Sequence, residues 1–243
     1  MAGTLQLVVP CYNEAGRLQP DAFLDLVAAH PNIGVVFVDD GSTDTTPAII
    51  HEAVARSGGR MSAVTLNANA GKARAVQVGI LAAFERHPEF VGFWDADLST
   101  PLSAVPAFID TFRARPDVDI VMGARVKLLG RRITRRLVRH YAGRVFATAA
   151  SLVLGIAVYD TQCGAKIFRA TDRVRQGFVA PFRSKWIFDV EILSRYIAAA
   201  GRAEAESRMC ELPLDTWTDV AGSKLTLRQA LRAAWDLALL ARR

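Results

Sequence analysis

Short apolar runs alternate with longer amphipathic stretches along the first half of the chain. Each apolar run is stopped by proline, glycine or a polar cluster, which predicts β-strands. The runs lie at residues 5–9, 33–38, 64–66, 91–94 and 120–122. The stretches between them predict helices at residues 18–29, 45–57, 72–86 and 103–113. This alternation predicts an α/β fold with a Rossmann-like, mostly parallel sheet flanked by helices.

The second predicted helix has Ser42 or Thr43 as its expected N-cap, with Pro47 in its first turn. Beyond residue 124 the pattern changes. Apolar positions predict one face of a helix over residues 133–145, from Ile133 to Val145, with arginines on the opposite face. Further helices are predicted at residues 187–199 and 225–240, giving an amphipathic-helical C-terminal region.

No internal repeat and no linker interrupts the chain. We therefore expect a single domain over residues 1–243, with two functional halves at residues 1–119 and 120–243. The chain begins its first apolar run by Leu5, so no secretory signal is predicted. The longest nearly apolar run, residues 145–159, is about five residues short of a bilayer span.

The basic charge is concentrated in one part of the chain. The 243 residues carry a net charge of +6, yet residues 120–159 contain eight basic side chains and no acidic one. With 22% charged residues and three widely spaced cysteines, the chain is typical of neither a disordered protein nor a disulfide scaffold. A reducing compartment is the expectation.

Polar clusters follow the first, second and fourth predicted strands, at residues 10–14, 39–42 and 95–97. Ligands of parallel sheets bind at the carboxyl ends of the strands, so we expect these clusters to converge on one rim. A single cluster could equally be a turn with a helix cap. Three at strand ends favour a functional site.

Asp95 and Asp97 form a D-x-D sequence at a predicted strand end. Residues i and i+2 can aim both carboxylates at one cation, and such hard oxygen ligands suit Mg²⁺ or Mn²⁺. The segment from Asn69 to Lys72 places a small residue and a cation at a helix start. That pattern is typical of a phosphate cradle, although a Gly-containing turn with a solvated Lys72 is the alternative.

Several enzyme classes lack their sequence signals. The chain has no GxxxxGK[ST], no GxGxxG after the first strand, no HExxH and no GxSxG. Its four histidines are interpreted as structural or solvated. Walker-type hydrolysis, dinucleotide binding, zinc hydrolysis and Ser-His-Asp chemistry are therefore not supported.

The predicted basic helix around residues 131–144 leaves three interpretations open. It could be a solvated helix packed on the core, or a nucleic-acid contact, although interleaved aromatic residues are absent. We favour a membrane-surface helix, with its apolar face in the headgroup boundary and its arginines on anionic lipid. No nucleic-acid partner is predicted, and homo-oligomerisation is left open.

The motifs together resemble those of family 2 glycosyltransferases of GT-A fold. The resemblance rests on residues 9–14, 38–44, 69–72 and 95–97. Residues 123–125, 160–166, 186–191 and 222–225 are similar to the polyprenyl-phosphate and dolichyl-phosphate sugar synthases within that family. The sequences of residues 160–166 and 188–191 resemble the dolichyl-phosphate glucosyltransferase group more than the mannosyltransferase group.

This resemblance implies a nucleotide-sugar-binding half at residues 1–119 and an acceptor-binding, membrane-surface half at residues 120–243. It also implies roles for individual residues. The nucleoside would be held by Pro10, Tyr12, Glu14, Val38 and Asp40. The metal and the diphosphate would lie at Asp95 and Asp97, with Lys72 also on the donor side. Arg125 and Lys224 would contact phosphates of the donor or the acceptor.

The sequence thus predicts an inverting, Mg²⁺- or Mn²⁺-dependent enzyme at the cytoplasmic face of a membrane. It would move a hexose from a nucleotide-diphosphate sugar, UDP-linked by expectation, to polyprenyl phosphate. Glucose leads, followed by an N-acetylhexosamine and mannose. The alternatives are a glycosyltransferase with a soluble or protein hydroxyl acceptor, for which Asp160 or Asp189 could be the base, and a non-catalytic membrane-surface adaptor.

Overall fold

A seven-stranded sheet forms the centre of the molecule. The computed structural model describes residues 4–134, 137–218 and 227–240. Within them, the sheet strands are β1 (Leu5–Cys11), β2 (Ile33–Asp39), β3 (Met61–Thr65), β4 (Phe90–Trp94), β5 (Ile120–Ala124), β7 (Ala165–Arg169) and β8 (Met209–Pro213). Their order is β3-β2-β1-β4-β7-β5-β8. β7 runs antiparallel to both neighbours and the other pairings are parallel, so the predicted mostly parallel sheet is confirmed.

Helices cover both faces of this sheet. The described helices are α1 (Pro20–Ala29), α2 (Thr46–Arg56), α3 (Lys72–Phe84), α4 (Val105–Ala114), α5 (Leu137–Leu154), α6 (Asp172–Val179), α7 (Phe188–Ala200), α8 (Arg202–Ser207) and α9 (Leu227–Leu240). Successive residues of β2 point into opposite cores because side chains alternate along a strand. Phe37 packs with α1 and α2 on one face, and Val36 and Val38 pack with α3 on the other.

Two local predictions are wrong, and the first concerns a helix cap. The helix after β2 begins at Thr46 with Thr45 as its N-cap residue, so neither Ser42 nor Thr43 caps it. Instead, the Thr46 amide donates to Asp44 Oδ1 at 2.9 Å. Ser42 is used elsewhere: its hydroxyl accepts the Asn13 amide at 3.0 Å.

The basic helix predicted over residues 133–145 also differs from the structure. Arg132–Thr134 is a strand, β6, that pairs with β9 (Thr216–Thr218), and it places buried Ile133 opposite Trp217. Within the described residues, the helix that follows β6 is α5, Leu137–Leu154. Pairing with a distant strand removes Ile133 and Arg132 from the proposed helical faces. Arg135 and Arg136 lie outside the described residues.

The long apolar run at residues 145–159 divides between core and surface. Ala147, Ala150 and Leu154 of α5 are buried, whereas Val145 and Leu152 are largely exposed. Arg144 turns back, and its guanidinium lies 3.8 Å from the centre of the Tyr159 ring. Among the residues described, none of the helices has the length and apolar character needed to cross a membrane.

Candidate active site

The three predicted polar clusters meet at one rim of the sheet. β1 lies between β2 and β4, and all three run parallel, so their carboxyl ends share an edge. Side chains join the first two clusters directly. The Thr43 amide donates to Asn13 Oδ1 at 2.8 Å, and the Glu14 amide donates to Thr46 Oγ1 at 2.8 Å. The predicted convergence of strand-end loops is therefore confirmed.

The loop after β1 offers both an aromatic surface and a carboxylate. Tyr12 is 43% exposed, and Pro10 is partly buried at the end of the strand. Glu14 forms an ion pair with Arg17 at 2.7 Å. Burial raises the pKa of Glu14, Arg17 opposes that rise, and the negative charges of Asp97 and Asp95 raise the pKa further. The three carboxylates are thus close enough to repel one another.

Asp40 holds the loop that precedes α3. Its two carboxylate oxygens each accept a backbone amide at 2.8 Å, from Ala70 and from Gly71, and Asn69 Nδ2 donates to it at 3.1 Å. Gly41, at φ +70°, lies so close to this loop that a Cβ would come within 2.6 Å of Ala68. Asp40 therefore positions the loop, and its direct contact with a nucleoside stays a prediction.

The side chain of Val38 lies in the core and not at the rim. It is fully buried in β2 and packs against α3 at Gly79, where no side chain beyond hydrogen would fit. A side chain in that position contacts α3 rather than a ligand. Any contact of Val38 with the nucleoside would therefore use its backbone, and that contact stays a prediction.

The D-x-D segment leaves β4 in a tight, well-fixed turn. Trp94 Nε1 donates to Thr100 O at 2.7 Å, and the Ser99 amide donates to Asp97 Oδ1 at 3.0 Å. The Asp95 amide donates to Gly164 O at 3.0 Å, so the D-x-D turn is fastened to the segment before β7. Both aspartates are partly exposed at the rim.

This pair of carboxylates fits a divalent cation that is also held by phosphates. The described residues contain no group of three or more His, Cys, Asp or Glu side chains arranged as a complete metal site. Mg²⁺ commonly uses one or two carboxylates, with substrate phosphates and waters completing its shell. The repulsion among Asp95, Asp97 and Glu14 would be relieved by such a cation. The donor set therefore fits Mg²⁺ or Mn²⁺.

Lys72 is bound to the D-x-D segment. Lys72 is the first residue of α3 and directly follows Gly71, the N-cap residue. Its ammonium forms an ion pair with Asp95. Burial alone would lower the pKa of Lys72, but the carboxylates of Asp95 and Asp189 raise it above its ordinary value. Lys72 is therefore charged and is partly neutralised before any phosphate binds.

Arg125 is also already paired. Its guanidinium holds Asp160 through two hydrogen bonds of 2.6 and 2.7 Å, and the pair is almost buried. Burial would lower the pKa of Arg125, but Asp160 raises it. Asp160 also accepts the amides of Arg125 and Gln162. These bonds hold Asp160 in place, and the contact between Arg125 and a phosphate stays a prediction. Lys224 lies outside the described residues.

Sequence reasoning missed Lys166, the fully buried cation of β7. Its Nζ donates to Asp189 Oδ1 at 2.5 Å and to Cys163 O at 2.6 Å. Asp189 is in the first turn of α7, where the helix dipole favours a negative charge. The available signal was a lysine inside the apolar run Ala165–Arg169. This ion pair fastens β7, and with it the loop that contacts Asp95, to α7.

We expect Lys166→Met to cost about 3–5 kcal/mol of unfolding free energy, because it strands a buried carboxylate. Urea denaturation measures this change. The double variant Lys166→Met/Asp189→Leu removes both charges and should recover most of the loss. A single variant within about 1 kcal/mol of wild type would contradict the importance of the pair.

Comparison with known proteins agrees with this geometry. The model of Glycosyl transferase family 2 matches residues 6–173. A dolichyl-phosphate beta-glucosyltransferase of Saccharomyces cerevisiae is 30% identical over 97% of this chain and 73% of its own length. Its counterpart in Drosophila melanogaster is 32% identical, over 91% of this chain and 69% of its own. An undecaprenyl-phosphate 4-deoxy-4-formamido-L-arabinose transferase of Pseudomonas aeruginosa is 31% identical, over 68% of this chain and 47% of its own.

Solved structures share the fold. Glucosyl-3-phosphoglycerate synthase from Mycobacterium tuberculosis, in complex with phosphoglyceric acid, superposes with a TM-score of 0.67 at 18% identity. The match covers 99% of this chain and 80% of that one. The same enzyme with Mn²⁺, UDP-glucose and phosphoglyceric acid gives a TM-score of 0.66 at 19% identity, with the same coverage. At these identities the likeness shows the GT-A fold alone. From the family match and the relatives, the chain belongs to glycosyl transferase family 2 and is a glycosyltransferase.

Proposed function

We propose that this enzyme transfers a hexose, with glucose favoured, from a UDP-sugar to polyprenyl phosphate with inversion at the anomeric carbon. The observation that carries the acceptor assignment is that the two carboxylates considered as bases for a hydroxyl acceptor are both paired with cations. Asp160 is held by Arg125 and Asp189 by Lys166. The named dolichyl-phosphate and undecaprenyl-phosphate relatives support the same acceptor class.

A phosphate acceptor suits a site with these engaged carboxylates. A sugar or protein hydroxyl must lose a proton as it attacks, which calls for a carboxylate free to accept it. A phosphate monoester has a second pKa of about 6, so at neutral pH it already presents a negatively charged oxygen. Asp160 and Asp189 are bound to cations, so neither is free to serve as a base for a hydroxyl. This favours the phosphate over the hydroxyl alternative.

On the donor side, Pro10, Tyr12 and Glu14 are proposed to line the nucleoside pocket, with Asp40 fixing its floor. Asp95 and Asp97 would hold Mg²⁺ or Mn²⁺ together with the diphosphate. The bound cation would neutralise the charge that develops on the leaving nucleoside diphosphate. Lys72 holds Asp95 in place beside it, and Lys224 is proposed to add a further positive charge.

A lipid acceptor implies that the enzyme acts at a membrane surface, and we propose that this is the cytoplasmic face. Helices α5 and α9 contact each other and carry exposed apolar side chains. These are Val145 and Leu152 on α5, and Trp235 and Leu239 on α9. Their spacing places each pair on one face of its helix. Each of these exposed apolar faces fits the headgroup boundary of a bilayer, where tryptophan is favoured.

A donor screen tests the proposed function. Purified protein, Mn²⁺ or Mg²⁺ and polyprenyl phosphate in detergent are mixed with UDP-glucose, UDP-N-acetylglucosamine or GDP-mannose, and lipid products are followed by mass spectrometry. We expect UDP-glucose to give polyprenyl-phosphate glucose, with a β-anomeric coupling in its NMR spectrum. Transfer to soluble acceptors without lipid would contradict the proposal, and an α-linked product would contradict inversion.

A further inference from the structure

The loop at residues 180–187, between α6 and α7, is held rigidly against the active site. Gln77 of α3 donates to Phe178 O and Ala180 O at 2.8 Å each. From α7, Glu191 accepts the Arg183 amide at 2.9 Å. Ser184 Oγ accepts the amides of Trp186 and Ile187 and donates to Asp236 of α9 at 2.5 Å. Hydrogen bonds with α3, α7 and α9 therefore fix the conformation of this loop.

Lys185 lies on this loop and approaches the segment that precedes α3. Its Cδ lies 3.4 Å from the Cβ position of Gly71, the residue directly before Lys72. The Lys185 side chain is exposed, and it passes next to the residue that precedes Lys72, the ion-pair partner of Asp95. Backbone anchors on both sides fix the point from which it extends.

Lys185 differs in its ion pairing from three other cations near the rim. Lys72, Arg125 and Lys166 each hold a carboxylate, namely Asp95, Asp160 and Asp189. Within residues 4–134, 137–218 and 227–240, no carboxylate lies within ion-pair distance of Lys185. Its positive charge is thus left for a substrate anion.

The surroundings of Lys185 favour a lipid phosphate over the donor diphosphate. Trp186 follows it and is 41% exposed, and Val179 at the end of α6 is also exposed. Asp236, which ties α9 to the loop, is next to exposed Trp235. A cation beside exposed apolar side chains matches a phosphate attached to a prenyl chain. We propose that the Lys185 ammonium binds the acceptor phosphate of the proposed reaction.

Kinetics of Lys185→Gln with citronellyl phosphate, a water-soluble prenyl phosphate, test this assignment. We expect the KM for citronellyl phosphate to rise about 10- to 100-fold, as for loss of a charge-assisted hydrogen bond. The KM for UDP-glucose should stay within about twofold, and Lys185→Arg should keep most of the affinity because it keeps the charge. Arg86→Gln is the matched control, since it removes one exposed charge beyond the far end of α3, about 20 Å away.

The assignment of Lys185 rests on the proposed function. A direct binding measurement tests the phosphate contact separately from sugar transfer. Binding of citronellyl phosphate is measured by tryptophan fluorescence for all four proteins. If wild type transfers sugar but Lys185→Gln keeps its acceptor KM, or loses donor affinity instead, the assignment is overturned while the function stands. If wild type transfers nothing yet binds citronellyl phosphate in a Lys185-dependent way, the function fails and the phosphate site stands. Binding that is independent of Lys185 overturns the assignment.

Discussion

Asp97→Asn should reduce kcat/KM for sugar transfer about 1,000-fold, equal to roughly 4 kcal/mol of transition-state stabilisation. The substitution removes a negative charge proposed to hold the metal and diphosphate, while the side chain keeps its size and shape. The amide oxygen of the new side chain could still accept the Ser99 amide, which donates to Asp97 Oδ1 at 3.0 Å. The turn after β4 should therefore persist, and the melting temperature should change little.

Asp25→Asn is the matched control for this prediction. Asp25 is exposed on α1, away from the rim, and the same loss of charge there should leave transfer at the wild-type rate. Titration with Mn²⁺ adds a second measurement, since Asp97→Asn should need a higher metal concentration for half-maximal activity. Full transfer activity in Asp97→Asn would contradict the proposal that Asp97 holds the metal.

Gly164→Ala should be the most damaging methyl group that can be added near the site. A Cβ on Gly164 would overlap the Asp95 carboxylate, with Asp95 Oδ1 only 2.6 Å away. Asp95 would have to move, which would disturb both its pair with Lys72 and the proposed metal site. We expect kcat/KM to fall about 100-fold, the scale of a misplacement of about 1 Å. Stability should fall by about 1–3 kcal/mol through overpacking.

Gly177→Ala is the matched control for the added methyl group. Gly177 lies in α6, and a Cβ there would meet no atom within 4 Å. Alanine in a helix interior should stabilise the protein by about 0.5–1 kcal/mol and leave activity unchanged. Thermal melts and initial rates on both variants check the pair. Equal activity of Gly164→Ala and wild type would mean that Asp95 needs no fixed position.

The rim of the active site could be predicted from sequence because its determinants are local. The strands β1, β2 and β4 are short apolar runs that each end in a polar cluster, and parallel strands bring such ends together. Asp95 and Asp97 were recognisable from two positions and one strand end. The periodicity thus predicted the first half of the fold closely, with strand and helix ends shifted by a few residues.

The second half depends on contacts between residues far apart in sequence. Ile133 looks helical beside Leu137, but pairing with Trp217 makes it part of a strand. Lys166 looks incompatible with a buried strand until Asp189, 23 residues later, supplies its partner. Arg125 looks free until Asp160, 35 residues away, occupies it. No local sequence pattern indicates these pairings. Which charged side chains of the site are already paired therefore could not be predicted from the sequence.

The most direct test of the acceptor assignment compares two acceptors that differ only in the phosphate. Purified enzyme with UDP-glucose and Mn²⁺ is given either polyprenyl phosphate or the corresponding polyprenol, and the glucosylated lipid is measured by mass spectrometry. We predict product from the phosphate and none from the alcohol, because Asp160 and Asp189 are bound to cations and neither can take the proton from a hydroxyl. Glucosylation of the polyprenol at a comparable rate would contradict the account.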